Sequence, residues 1–146
     1  MAAPFEIRRR IQLFAILAGV CFALAAGFGW FAYDRSNPYL WAPAVVLVLL
    51  GASNLRGLRD SRTPLFVADD HGVRMRSADG GWVGLLWSEM GEIRVERRVG
   101  IRHDPRVKVV SSDGSRFYTS PLGLATNSSP GEAEVQLARR RSAAAY

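Results

Sequence analysis

Two apolar runs fill most of the first third of this chain and limit what it can become. Ile11–Tyr33 holds no charged side chain over 23 residues and Tyr39–Leu55 none over 17, with only Asp34-Arg35-Ser36-Asn37-Pro38 between them. At about 1.5 Å of helical rise per residue, the first run crosses a hydrocarbon layer of about 30 Å with tilt, and the second barely reaches across. The expected organisation is a two-helix transmembrane hairpin carrying one soluble domain. Residues 1–62 are the N-terminal tail and hairpin, with spans of about 11–33 and 39–55, and residues 63–146 form the domain. A domain of that size holds a single core.

The high isoelectric point does not point to nucleic acid. Residues 1–62 carry seven arginines against Glu6, Asp34 and Asp60, whereas residues 63–146 carry twelve basic and ten acidic side chains. The excess charge therefore sits beside the apolar runs, and no nucleic-acid partner is expected. The single cysteine, Cys21, lies inside the first run and can form no internal disulfide. Eighteen arginines to one lysine, Lys108, fit a GC-rich bacterial genome.

Arg8, Arg9 and Arg10 precede the first run, and Arg56, Arg59 and Arg62 follow the second, while the turn holds one arginine and one aspartate. Basic residues collect on cytoplasmic flanks, so both termini are expected inside, at a bacterial plasma (inner) membrane. Trp30, Tyr33, Tyr39 and Trp41 bracket the turn and fit the aromatic belt of the opposite interface. Ala23-Leu24-Ala25 also has the form of a leader cleavage site, but apolar character continues past it through Trp30 and Phe31. Within the first run, Ala15, Gly19, Ala23 and Gly27 recur every four residues. Such a stripe lets another helix approach closely, whether the second span, through Ala42, Gly51 or Ala52, or another membrane protein or second copy.

Beyond Leu65 the apolar period becomes two. Strands are expected at Leu65–Ala68, Val73–Arg76, Trp82–Trp87, Glu92–Arg97, Val107–Val110 and Arg116–Thr119, separated by turn sequences such as Asp69-Asp70-His71-Gly72 and Ser112-Asp113-Gly114-Ser115. Trp82 and Trp87 then fall on opposite faces of one strand. Ser129-Pro130-Gly131-Glu132 is a helix start, with serine as cap and proline at the first helical position, and a helix is expected over Glu132–Arg141 with Ala133, Val135 and Leu137 apolar. The fold class is a membrane α-hairpin plus α+β: an antiparallel meander, twisting toward a barrel, closed by a C-terminal helix.

Two apolar runs, then Phe66-Val67-Ala68-Asp69-Asp70-His71-Gly72-Val73, then Leu86-Trp87-Ser88-Glu89-Met90 before an alternating strand, resemble small bacterial membrane proteins with a PH-like (YcxB-like) domain. The Thr119-Ser120-Pro121 step is similar too. Met90 stands where the family has Ile or Val, and the approach to the helix is richer in Gly, Ser and Pro. The resemblance implies a membrane-anchored cytoplasmic domain and no particular chemistry.

The sequence holds no nucleophile elbow, phosphate loop or Cys/His pairing. Asp69-Asp70-His71 and His103-Asp104-Pro105 are turn formers rather than metal sets. Glu89 and Glu92 lie three apart, but Glu92 begins an alternating strand, so no shared acid/base site is expected. No enzymatic activity, cofactor, metal or small-molecule substrate is expected. Arg94, Arg97, Arg98, Arg102, Arg106, Lys108 and Arg116 fall on neighbouring strands and one loop, where they either form a basic surface for anionic headgroups or a partner, or are cancelled by Glu92, Glu96 and Asp104. The expected function is an interaction or accessory/scaffold module in a membrane assembly. Alternatives are a sensor of anionic lipid and a transporter or channel accessory subunit, the last disfavoured by spans without ionisable residues.

Overall fold

The computed structural model describes residues 3–97 and 104–145. The chain forms two compact units: Arg10–Arg62, and Met1–Arg9 together with Thr63–Tyr146.

The first unit is a helical hairpin. Helix α1 spans Ile11–Asp34 and helix α2 spans Trp41–Asp60. Between them, Asn37 accepts the backbone N–H of Tyr39 through its side chain at 3.1 Å and starts a single 3-10 turn, Pro38–Leu40. The second helix runs past the expected Leu55, so Arg56 and Arg59 sit on its last turns. Together the 3-10 turn and α2 give an apolar helical stretch, Pro38–Asp60, long enough to cross a membrane, as α1 also is. Only 11% of each apolar window is buried in the fold, while Ile16, Val20, Phe31, Val45 and Leu49 are more than half exposed. A soluble protein's core helix shows the reverse.

The second unit is α+β. Strands β1 (Phe5–Ile7), β2 (Phe66–Ala68), β3 (Gly72–Arg76) and β4 (Trp82–Leu86) form one antiparallel sheet in that order. Strands β5 (Met90–Glu96), β6 (Arg106–Ser111) and β7 (Phe117–Pro121) form another. Helix α3 spans Pro130–Ala144, its start capped as expected by the Ser129 side chain accepting the Glu132 N–H. One core joins the three layers: Ile7, Phe66, Val73 and Leu85 from the first sheet, Met90, Val107 and Val109 from the second, and Ala133 and Leu137 from α3. Val135 is exposed, because Ala133 and Leu137 lie four apart on one helix face and position 135 points elsewhere.

Two expectations change. The six expected strands do not make one meander. Among the described residues no ladder joins β4 to β5, and the strands fall into two sheets. The chain leaves β4 through a 3-10 turn, Trp87–Glu89, where the Trp87 indole N–H donates to the Asp69 carbonyl at 2.9 Å and draws the backbone away from the sheet. Trp87 is thus packed against the core beyond the strand end, and only Trp82 stands on β4, half exposed.

The second change concerns the tail, expected to belong with the hairpin. Phe5–Ile7 instead adds a seventh strand to the soluble unit, in register Phe5↔Ala68, Glu6↔Val67 and Ile7↔Phe66. Ile7 and Phe66 are fully buried. Just beyond the strand, Arg8 exchanges backbone bonds with Asn127, donating to Oδ1 at 2.8 Å and accepting from its N–H at 2.9 Å, and Arg9 bridges to Thr126. The hairpin is therefore an insertion between two paired strands of the soluble unit.

Ile7→Ala should destabilise the soluble unit by about 2–5 kcal/mol, the usual cost of an Ile-sized cavity in a core. Urea unfolding of residues 1–9 joined by a short linker to residues 63–146 measures this. Residues 63–146 alone should lack the cooperative transition that the joined form shows.

Candidate functional site

The expected basic face lies on the outer side of the β5–β7 sheet. Alternation turns Ile93, Val95, Val107 and Val109 toward the core and Glu92, Arg94, Glu96, Arg106 and Lys108 outward. The register places Arg94 opposite Lys108 and Glu96 opposite Arg106. Glu96 is the centre of this face. It accepts from Arg106 Nε at 2.6 Å and from Arg94 at 3.3 Å, with Lys108 Nζ at 4.0 Å. The Arg106 hydrogen bond, then the charges of Arg106, Lys108 and Arg94, outweigh desolvation and hold the Glu96 carboxyl below its ordinary 4.5. Glu92 adds a second contact to Arg94 at 3.6 Å. Arg97 is drawn to Glu134 of α3 at 3.0 Å. Lys108 also lies over the Phe117 ring, 5.6 Å from its centre. Arg116 sits exposed at the start of β7's approach. Arg98, Arg102 and His103 lie outside the described residues. The structure thus brings the strand-borne cations together, and brings their counter-charges with them.

Two of the terminal arginines of α3 bond to backbone carbonyls elsewhere in the soluble unit. Arg140 donates to the Ala3 carbonyl and Arg141 to the Gly91 carbonyl at 2.9 Å. Arg8, expected at a membrane interface, forms an ion pair with Glu6 on β1. Trp30, Tyr33, Tyr39 and Trp41 are all exposed around the hairpin turn, as an aromatic belt requires.

Asp69-Asp70-His71-Gly72 is an Asx turn. Asp69 Oδ1 accepts the N–H groups of His71 and Gly72, both at 3.0 Å, and Oδ2 accepts Arg74 at 2.8 Å. Burial pushes the Asp69 carboxyl up, but these three donors outweigh it and the group titrates below 3.8. Glycine at 72 is a steric demand, since a Cβ there would lie 2.3 Å from the Leu85 carbonyl oxygen. Beside this turn an open groove of about 830 Å³ runs over the outer face of the first sheet, lined among others by Pro4, Glu6, Pro64, Val67 and Trp82. Two of its carboxylates, Glu6 and Asp69, are committed to Arg8 and Arg74. Among the described residues, no group of three or more His, Cys, Asp or Glu converges as a metal site.

The four-residue stripe Ala15, Gly19, Ala23, Gly27 faces away from α2: all four are exposed, and a Cβ on Gly19 or Gly27 would meet nothing within 4 Å. The seam between the helices is built on a seven-residue spacing instead, Ala18, Ala25 and Ala32 on α1 and Ala44 and Gly51 on α2. Seven is the repeat of near-parallel knobs-into-holes packing, and small residues let the backbones close up. Gly51 receives the Phe22 ring, and Gly57 receives the Phe14 ring 2.8 Å from where a Cβ would stand. Ala42 and Ala52 are exposed. Of the partners expected for the stripe, the second span is excluded.

Comparison of the chain with protein-family models, with curated proteins and with solved structures finds no match.

Two measurements check these assignments. Gly57→Leu should overpack the seam and cost about 1–3 kcal/mol, read as a lower melting temperature of the full chain in detergent, while Gly19→Leu leaves the melting temperature unchanged. Asp69 lies low in the folded state, so its contribution is present above its unfolded value and disappears as pH falls through its folded one. Asp69→Asn should therefore lower the urea midpoint of the joined soluble unit at pH 7. The two midpoints should converge as pH drops from about 4 to about 2.

Proposed function

We propose that this chain is a non-enzymatic, two-span protein of a bacterial inner membrane, with both termini cytoplasmic, whose soluble unit serves as an interaction or accessory module in a membrane assembly. Membrane residence is supported by the two hairpin helices, which bury little of their apolar surface in the fold and leave large side chains bare on all sides but the seam. Orientation is supported by the arginines at both chain-proximal ends of the hairpin and by the exposed aromatic ring at its turn. The order of strands and terminal helix remains compatible with a PH-like (YcxB-like) domain.

The observation that carries the choice of a protein partner over lipid is the charge balance at Glu96. Headgroup attraction needs a net positive surface, about 1 kcal/mol per cation near the bilayer. Here Glu92, Glu96 and Glu134 offset three of the five described cations Arg94, Arg97, Arg106, Lys108 and Arg116, which leaves the face only weakly positive. The hairpin holds the unit at one surface, so a weak contact acts at high local concentration.

Co-sedimentation with vesicles containing anionic lipid tests this reading. The joined soluble unit (residues 1–9 linked to 63–146) should stay in the supernatant at physiological salt. Glu92→Gln with Glu96→Gln should send it to the pellet in a salt-sensitive manner. Strong binding of the unaltered unit, abolished by Arg94→Ala, Arg106→Ala and Lys108→Ala, would replace the protein-partner reading with a lipid sensor.

A further inference from the structure

The two sheets present four edges, and three carry the devices that stop an edge from recruiting another strand. Strand β1 is three residues long, follows Pro4 and leads into Arg8. Strand β5 bears Glu92, Arg94 and Glu96 and a register shift between Met90 and Glu92. Strand β7 ends at Pro121 and is preceded by Arg116. Strand β4, Trp82-Val83-Gly84-Leu85-Leu86, has no charge, proline or bulge, and among the described residues no strand pairs with its outer edge.

The phase of the β3–β4 ladder fixes which backbone groups face out. His71 accepts from Trp87 and Gly81 accepts from Ser77, so the bonded positions of the hairpin are odd-numbered on β4's side. Val83 and Leu85 therefore turn their N–H and C=O toward β3, and Trp82, Gly84 and Leu86 turn theirs outward. The Leu86 N–H reaches only the Glu89 Oε2, at 3.4 Å. The side chains of Trp82 and Leu86 are also the two large apolar groups exposed on this strand, at 48% and 51%.

We propose that β4 pairs antiparallel with β4 of a second copy of this chain, about a two-fold axis at Gly84. This deepens the interaction-module reading and rests on it. With that axis, Gly84 lies opposite Gly84 of the partner copy and Trp82 opposite Leu86, so the outward N–H and C=O groups of Gly84 meet their mates, and the Leu86 N–H exchanges its 3.4 Å contact with Glu89 for the Trp82 carbonyl of the other copy. The same register sets each exposed indole against an exposed leucine, and nothing charged meets a like charge. Glycine at the centre leaves the axis open. It is also demanded by β3, since a Cβ at 84 would stand 2.9 Å from the Val73 carbonyl oxygen. The other three edges cannot pair with themselves this way: β5 would place acidic and basic side chains in an arrangement already satisfied within the chain, and β1 and β7 adjoin prolines. Such a short contact is weak for free proteins, and a shared membrane supplies the missing local concentration.

Cysteine cross-linking of the full chain in native membranes tests the register, in a Cys21→Ser background. A copy with Trp82→Cys co-expressed with a copy with Leu86→Cys should form a disulfide-linked dimer on mild oxidation. Directly opposed residues lie about 5.5 Å apart, within disulfide reach, whereas Trp82 and its own symmetry mate are offset by four positions, about 14 Å. The mixed pair should thus exceed either variant alone by about tenfold. Leu86→Lys, an exposed position, should convert dimers to monomers in light scattering of nanodisc-embedded protein. Equal cross-linking of like and unlike pairs, a dimer indifferent to Leu86→Lys, or no cross-link in any pair would overturn the proposal. None of these outcomes bears on vesicle binding, whose result decides the interaction-module reading separately.

Discussion

The pairing of Ile7 with Phe66 is the contact that closes the soluble unit across the inserted hairpin. Fifty-eight residues separate the two in sequence, and the whole apolar hairpin lies between them. Closing such a loop has an entropic cost that grows slowly with length, so a rigid helical insert is tolerated as long as its two ends emerge from neighbouring strands. Strands β1 and β2 provide that. Each contributes a fully buried residue to the core, and the Arg8–Asn127 and Arg9–Thr126 contacts secure the tail against the loop before α3. A three-residue strand could not hold by itself; it holds because Ile7 is seated among Phe66, Val73 and Leu85.

Charge is used inside the molecule more than on display. The net charge of +6 suggests a surface looking for anions, yet the cations of the second sheet converge on Glu96, Arg97 meets Glu134, and Arg140 and Arg141 bond to backbone carbonyls. Exposed ion pairs of this kind add little stability each. Their larger effect is on the field: Glu92, Glu96 and Glu134 offset three of the five described cations Arg94, Arg97, Arg106, Lys108 and Arg116 and so weaken the pull of this face toward a lipid surface. Asp69 and Asp113 do comparable work in turns. The Asp113 carboxyl is held well below the ordinary range by the Ser111 and Ser115 hydroxyls and the Ser115 N–H, and it shapes the β6–β7 hairpin.

In the hairpin, spacing discriminates between two sets of small residues that composition alone treats alike. Residues four apart drift around a helix, while residues seven apart stay near one line, which is what a long antiparallel neighbour needs. Ala18, Ala25 and Ala32 therefore carry the seam with Ala44 and Gly51, and the more conspicuous Ala15–Gly27 stripe is left facing outward. The seven-residue spacing was visible in the sequence, but only the position of α2 shows which stripe it chooses.

The amino-acid sequence by itself determined the elements: two long apolar helices, six of the seven strands among the described residues, the Asp69 and Asp113 turns, and the Ser129 cap. Each of these is set by interactions among residues close in the chain, by apolar period, by turn chemistry or by a cap three residues away. Tertiary structure alone decided the rest. Phe5-Glu6-Ile7 is too short for its alternation to register until Phe66 offers it a partner. The β4–β5 break follows from an indole reaching back 18 residues to the Asp69 carbonyl. The partial cancellation of charge on the basic face follows from which strands lie side by side, because a charge at a distance of tens of residues in sequence acts only once folding has brought it within a few ångströms.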